Sequence, residues 1–256
     1  MATEGVHHAA TAFSGAAAVY EQTRPGYPPE ALAWLGEQLA LGPGRRVLDL
    51  AAGTGKLTRG LVGQGATVIA VEPVEGMRST LAKSVPGADV VAGVAQAIPL
   101  QTESVDGVTV AQAMHWFAYD EAIDEMHRVL RRGSHLAVVW NRRDMSDPLQ
   151  ATLDRLMAPL RGDTPSGTSG EWKRVLEATR EGEPRFAPAG RLQTHWTQPI
   201  DVEGVAGRVA SVSFVAALDS AERERLLEQV REQARRYPAP LTLPYTAEIF
   251  CYRRVG

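Results

Sequence analysis

The chain has 256 residues, 44% of them hydrophobic and 22% charged, with a formal net charge of −3 at pH 7. That length fits one large domain able to bury its own core, and that composition excludes a wholly disordered chain. No stretch approaches the ~18 apolar residues of a spanning helix, the first twelve residues carry no Lys or Arg of a secretory leader, and Cys251, the one cysteine, rules out an internal disulfide.

Proline and glycine punctuate a regular rhythm. Pro28-Pro29 precede a helical pattern over 30–41, with apolar residues at Ala31, Leu32, Leu35 and Leu39, ended by Gly42-Pro43-Gly44. An apolar run at 47–50 meets a glycine-rich turn at 51–55 and then a helix over 56–62. A second run at 66–71 ends at Glu72, a helix follows over 74–84, and a third run spans 89–92. A fourth strand is expected at 104–111, a helix at 119–130 and a fifth strand at 135–140. Short apolar runs alternating with helices of about ten residues predict a parallel sheet of βαβ units covered on both faces.

Beyond Asn141 the rhythm changes. Helices are expected at 147–160, 202–218 and 221–236, a loop at 161–170, and strands at 191–200 and 242–255. Pro244 suits a strand start or an edge. The organisation is read as one domain: a helical lid at 1–42, a core at 43–145, a partly inserted cover at 146–220, and a C-terminal helix and strand at 221–256.

The segment Val47-Leu48-Asp49-Leu50-Ala51-Ala52-Gly53-Thr54-Gly55-Lys56-Leu57-Thr58 carries the most information. A strand entering a glycine turn and a helix is a general nucleotide-binding element. A Walker phosphate loop fails here, because Leu50 stands at its first glycine and Leu57 at its magnesium-binding hydroxyl. A dinucleotide fingerprint matches Gly53 and Gly55 but finds Thr58 at its third small residue. S-adenosylmethionine has no phosphate. It asks for close backbone approach, which small residues permit, and for a carboxylate on the ribose hydroxyls. Glu72, 23 positions after Asp49, closes the second strand and suits that role.

The same residues resemble the first motif of the class I S-adenosylmethionine-dependent methyltransferases, in the type 11 group with ubiquinone- and trans-aconitate-type enzymes. Val68-Ile69-Ala70-Val71-Glu72-Pro73 with Met77 resembles the second motif. Gly93 to Leu100 resembles the adenine-contacting turn, and Ser104 to Phe117 the fourth strand with the loop facing the methyl group. Tyr20-x-x-x-Arg24-Pro25-x-Tyr27-Pro28 resembles the N-terminal lid. The resemblance implies an α/β, Rossmann-like, doubly wound fold: seven mostly parallel strands, helices on both faces and a C-terminal antiparallel strand. It assigns cofactor contacts to Tyr20, Arg24, Asp49, Ala51, Gly53, Gly55, Glu72, Pro73, Met77, Val94, Ala95 and Gln112. It places Tyr27, His115, Trp116 and Phe117 at the substrate, with His115 as a candidate general base near neutral pH. Ala51 stands where many relatives have glycine and fits where φ is negative. Val94 stands where relatives often carry a polar side chain.

The expected reaction is methyl transfer from S-adenosylmethionine to a small-molecule oxygen. Basic pairs are scattered and balanced by acids, so nucleic acid is not an expected partner. His127 and His195 lack partners at metal-ligand spacing, so no metal is expected. A cytoplasmic monomer or homodimer completes the expectation. A non-methylating cofactor-binding protein, a cyclase and a nicotinamide-dependent reductase remain alternatives at this level.

Overall fold

A computed structural model describes residues 13–162, 164, 170–180 and 182–256. Most of the loop expected at 161–170, and residues 1–12 of the lid, lie outside the described residues.

The strands are β1 (Arg46–Leu50), β2 (Thr67–Val71), β3 (Ala88–Val91), β4 (Val105–Ala111) and β5 (Leu130–Arg143), then β6 (Thr179–Arg180), β7 (Glu183–Pro184), β8 (Phe186–Ile200) and β9 (Leu241–Arg254). Seven of them form one sheet in the order β3-β2-β1-β4-β5-β9-β8, with β6 and β7 pairing apart. β9 runs antiparallel to both β5 and β8, and the other pairings of the seven-stranded sheet are parallel. This is the doubly wound sheet the sequence predicts. The chain leaves β1 toward β2 and β3, then crosses back to β4. That reversal opens a crevice at the carboxyl ends of β1 and β4, where this class of sheet binds ligands.

Alternation along the buried strands decides which helices cover which face. Leu48 and Leu50 pack with Ile123 and Met126 of α5 (Asp120–Val129). Val47 and Val68 point the other way, onto Leu35 of α2 (Pro29–Gln38) and Leu61 of α3 (Thr58–Gly63). α4 (Glu75–Ser84) seals the β2–β3 side through Leu81. Burying each such leucine contributes about 1.5–3 kcal/mol.

α7 (Glu171–Leu176) adds Trp172 and Leu176 to the core under α5, and a second core lies beside the sheet. It joins α6 (Pro148–Met157), α8 (Val202–Ala210), α10 (Ser220–Ala234) and the first half of β9. Aspartates cap all three helices: Asp147 accepts from the Gln150 amide, Asp201 from that of Gly204, and Asp219 from those of Ala221 and Glu222. α1 (Phe13–Thr23) lies across α4 and α8. It comes close at Gly207, where a Cβ would stand 2.6 Å from Thr23 Cγ2.

Several boundaries differ from the sequence reading. The helix expected at 147–160 turns into a 3-10 turn at Ala158, because Pro159 has no amide hydrogen to continue it. The helix expected at 202–218 breaks at Ser211 into α8 and α9 (Ser213–Ala216). β5 and β8 both start five residues early, each across an irregularity in its ladder that pattern alone does not show. β8 lies inside the segment read as a cover, yet it is the sheet's edge strand. Pro244 sits where β9 pairs with β8 alone, just before the β5 ladder begins at Tyr245.

Candidate active site

A cleft of about 560 Å³ opens at the carboxyl ends of β1, β2, β4 and β5, within the range of small-molecule sites. Its two halves have different chemistry.

The first half is built from the turns after β1, β2 and β3. Leu50, Ala51, Gly53, Glu72, Pro73, Val74, Met77, Gly93, Val94 and Ala95 line it. Glu72 anchors it. One carboxylate oxygen accepts from the Gly53 amide and the other from the Val74 amide, each at 2.9 Å. Burial raises the Glu72 pKa above the ordinary carboxylate range, and these two bonds oppose the rise. Each oxygen keeps further lone-pair capacity. Gly53 has φ +59°, and a Cβ there would meet no protein atom within 4 Å. Val74 and Met77 pack with Tyr20 and Ala17 of α1, which roofs this half.

Asp49 occupies a different place from the one expected. Its side chain is buried beneath the turn and does not line the cleft. Its oxygens accept from Thr58 Oγ1 at 2.6 Å and Thr109 Oγ1 at 2.9 Å. Burial pushes its carboxyl up to about 6 despite both bonds. Asp49 therefore ties β1 to α3 and β4 and fixes the glycine turn from below. Thr58, an obstacle to the dinucleotide reading, is its donor. Gly55 also faces inward; a Cβ there would approach Val85 Cγ2 to 2.9 Å and Leu81 Cγ to 3.1 Å.

Ala51 corrects a second expectation. Its φ is +55°, not negative, and Gln112 after β4 has φ +59°. Both are L residues in the left-handed region, a conformation costing about 1–2 kcal/mol each, and both line the cleft. Strain of this kind gathers at functional sites.

The second half is formed by the loop after β4, the end of β5 and the helices of the second core. His115, Trp116 and Phe117 line it together with Trp140. The His115 ring lies 4.8 Å from Trp116 and 5.5 Å from Trp140, centroid to centroid. Its Nδ1 is buried with no hydrogen-bond partner among the described residues. Burial, with Arg142 adding to it, lowers the imidazole pKa to about 4. A base titrating near neutrality is therefore not what the structure holds. His115 is neutral at physiological pH and presents a lone pair.

Tyr20 and Arg24 both line the cleft, with the Arg24 guanidinium 4.9 Å from the Tyr20 ring centroid. Arg24 donates to Ser211 Oγ and to the Ser211 carbonyl, both at 2.8 Å. The break between α8 and α9 thus receives the lid. Tyr27 does not line the cleft itself but a small recess beside it, which shares Tyr20, Arg24, Gln112 and Arg208 with the cleft, and burial raises its phenol.

The sequence reading missed Arg208, Arg161, Met157, Ser213 and Phe214, all of which line the second half. Arg208 does leave a faint signal, flanking the apolar face that Val205, Ala206 and Val209 make on α8. Among the described residues no cluster of His, Cys, Asp and Glu could hold a metal, and no helix is long and apolar enough to cross a membrane.

Comparison with known proteins agrees with this geometry. A methyltransferase-domain family model matches residues 48–138, from β1 into β5. An uncharacterised methyltransferase of Mycobacterium tuberculosis is 38% identical over 238 residues, covering 91% of each chain. A methyltransferase-like protein of Schizosaccharomyces pombe is 35% identical over 222 residues, 86% of this chain and 84% of its own. A solved structure from Anaeromyxobacter dehalogenans, assigned to the type II methyltransferases, superposes with a TM-score of 0.61 at 28% identity, covering 90% of this chain and 97% of its own. The glycine turn, the carboxylate closing β2, the sheet order and these relatives converge: the chain belongs to the class I S-adenosylmethionine-dependent methyltransferases, in the type 11 group.

Proposed function

We propose that the first half of the cleft binds S-adenosylmethionine and that the second half presents an oxygen of a small-molecule acceptor, a hydroxyl or a carboxylate, in line with the methyl group. The observation that carries this reading is Glu72, buried at the end of β2 with both oxygens facing the turn and the cleft. Two vicinal hydroxyls donate well to such a carboxylate. Gly53 leaves open space where a side chain would fill the cleft, and Met77, Val74 and Ala95 offer apolar walls for a purine. The residues present therefore fit the cofactor.

When bound, S-adenosylmethionine supplies an electrophilic methyl on a sulfonium. The chain's own part is alignment and exclusion of water. Tyr20 and Arg24 close the lid side, and Trp116, Phe117 and Trp140 wall the acceptor side. The neutral His115 is placed to accept a hydrogen bond from an acceptor hydroxyl. With a pKa of about 4 it orients that proton better than it removes it. A carboxylate acceptor needs no base.

The test is product analysis with isotope-labelled methyl donor and a panel of small hydroxyl and carboxyl compounds. One S-adenosylhomocysteine per methyl ether or ester supports the reading. Methylation confined to nitrogen or carbon overturns the choice of oxygen, and tight cofactor binding without transfer to any class favours a non-methylating protein.

A further inference from the structure

Among the described residues, two of the arginines in the acceptor half have no carboxylate opposite them. Arg142 pairs with Glu248 at 3.1 Å, while Arg143 and Arg161 share Asp154 at 2.6 and 2.9 Å. Among the described residues Arg24 meets only neutral groups, the hydroxyl and carbonyl of Ser211 and the Tyr20 ring. Arg208, one turn before Ser211, has no ion pair among the described residues, and its Nε is buried without an acceptor. Among the described residues five guanidiniums line the cleft and only Glu72 and Asp154 oppose them there. Arg24, Arg143 and Arg208 also lie close enough to repel: Arg208 lowers the pKa of both others, adding to burial, and Arg24 falls to about 9.

Gathering like charges in a desolvated cleft costs folding free energy unless an anion completes the set. The three residues come from the end of α1, the end of β5 and the last turn of α8, so no single element accounts for their meeting. Guanidinium forks match planar or tetrahedral oxyanions through paired donors.

We infer that the acceptor carries an oxyanion, of the carboxylate or phosphate kind, held by Arg208 and Arg143 with Arg24 closing over it. This rests on the reading that the acceptor occupies the second half of the cleft. Anion recognition here also couples the acceptor to the lid, because Arg24 belongs to both.

Calorimetry with succinate, inorganic phosphate and the uncharged succinamide tests it, at constant ionic strength, with and without S-adenosylhomocysteine. Succinate or phosphate should bind the wild-type chain in the millimolar range or tighter, and succinamide should not. The tighter of the two anions identifies the oxyanion. Arg208→Gln should weaken anion binding at least tenfold while S-adenosylhomocysteine affinity stays within twofold. Arg24→Gln should act in the same direction. Arg132→Gln, on an exposed residue paired with Glu103, should change nothing. Equal binding of succinamide and succinate, no anion binding by the wild-type chain, or unchanged anion affinity in folded Arg208→Gln overturns the inference. If the wild-type chain fails to bind S-adenosylhomocysteine, the proposed function fails, and the anion series without it still reads the arginine set separately.

Discussion

The two halves of the cleft are made in opposite ways. The cofactor half comes from consecutive turns at one end of the sheet, with one carboxylate among its described residues, Glu72, held by two backbone amides. The acceptor half collects charged side chains from α1, β5, α6 and α8, far apart in sequence. Local turns tolerate little change, because backbone geometry does the positioning. Side chains borrowed from distant elements can be exchanged one at a time without disturbing the sheet. The family model's match, residues 48–138, takes in the turns of the cofactor half and ends before Arg142, Arg143, Arg161 and Arg208.

Breaking the first half should have the largest effect. Gly53→Arg combines a left-handed φ with a long side chain entering the cleft; S-adenosylhomocysteine affinity should fall more than 100-fold, roughly 3 kcal/mol, with the far-ultraviolet circular dichroism unchanged. Next, Thr58→Val keeps the volume but deprives buried Asp49 of a donor. An unsatisfied buried acceptor costs about 1–3 kcal/mol, which urea unfolding should register. No loss of stability would mean that Asp49 does not brace the turn.

The second half breaks differently. His115→Ala should lower kcat about tenfold on a hydroxyl acceptor, roughly 1.4 kcal/mol, and leave cofactor affinity alone. Because burial holds the imidazole down to about 4, its neutral form persists on lowering the pH through 6.5 and is lost only near 4. The kcat profile should therefore show no His115 limb near neutrality; a limb at 6.5 that vanishes in the variant would contradict the structure. The smallest change sharpens the site. Ala51→Gly relieves a positive φ and should stabilise the chain by up to about 1 kcal/mol, the strain relief being partly offset by added unfolded-state entropy.

What the sequence made legible follows the same division. The succession of strands and helices, the glycine turn and Glu72 are visible because continuous apolar runs, turn residues and the spacing of Glu72 from Asp49 are local signals. Asp49 was visible as important but not as buried; only the tertiary meeting with Thr58 and Thr109 turns it away from the cleft. The sign of φ at Ala51 is a property of the folded turn. The His115 pKa depends on Trp140 and Arg142 in β5. Arg208 was not singled out, because its apolar flank on α8 does not announce that Arg24 and Arg143 will face it. The break at Ser211 was hidden as well, and so was the Arg24 side chain that bonds there from the far end of the sequence.

The most direct test of the two-half account is calorimetry of S-adenosylhomocysteine with the wild-type chain, Glu72→Ala and Arg208→Gln, all checked for folding. The account expects micromolar binding by the wild type, a loss of about 100-fold in Glu72→Ala, where two charge-assisted bonds of roughly 1.5–3 kcal/mol each are at stake, and no change in Arg208→Gln. Equal affinities in all three chains, or a loss in Arg208→Gln that matches the loss in Glu72→Ala, would contradict it.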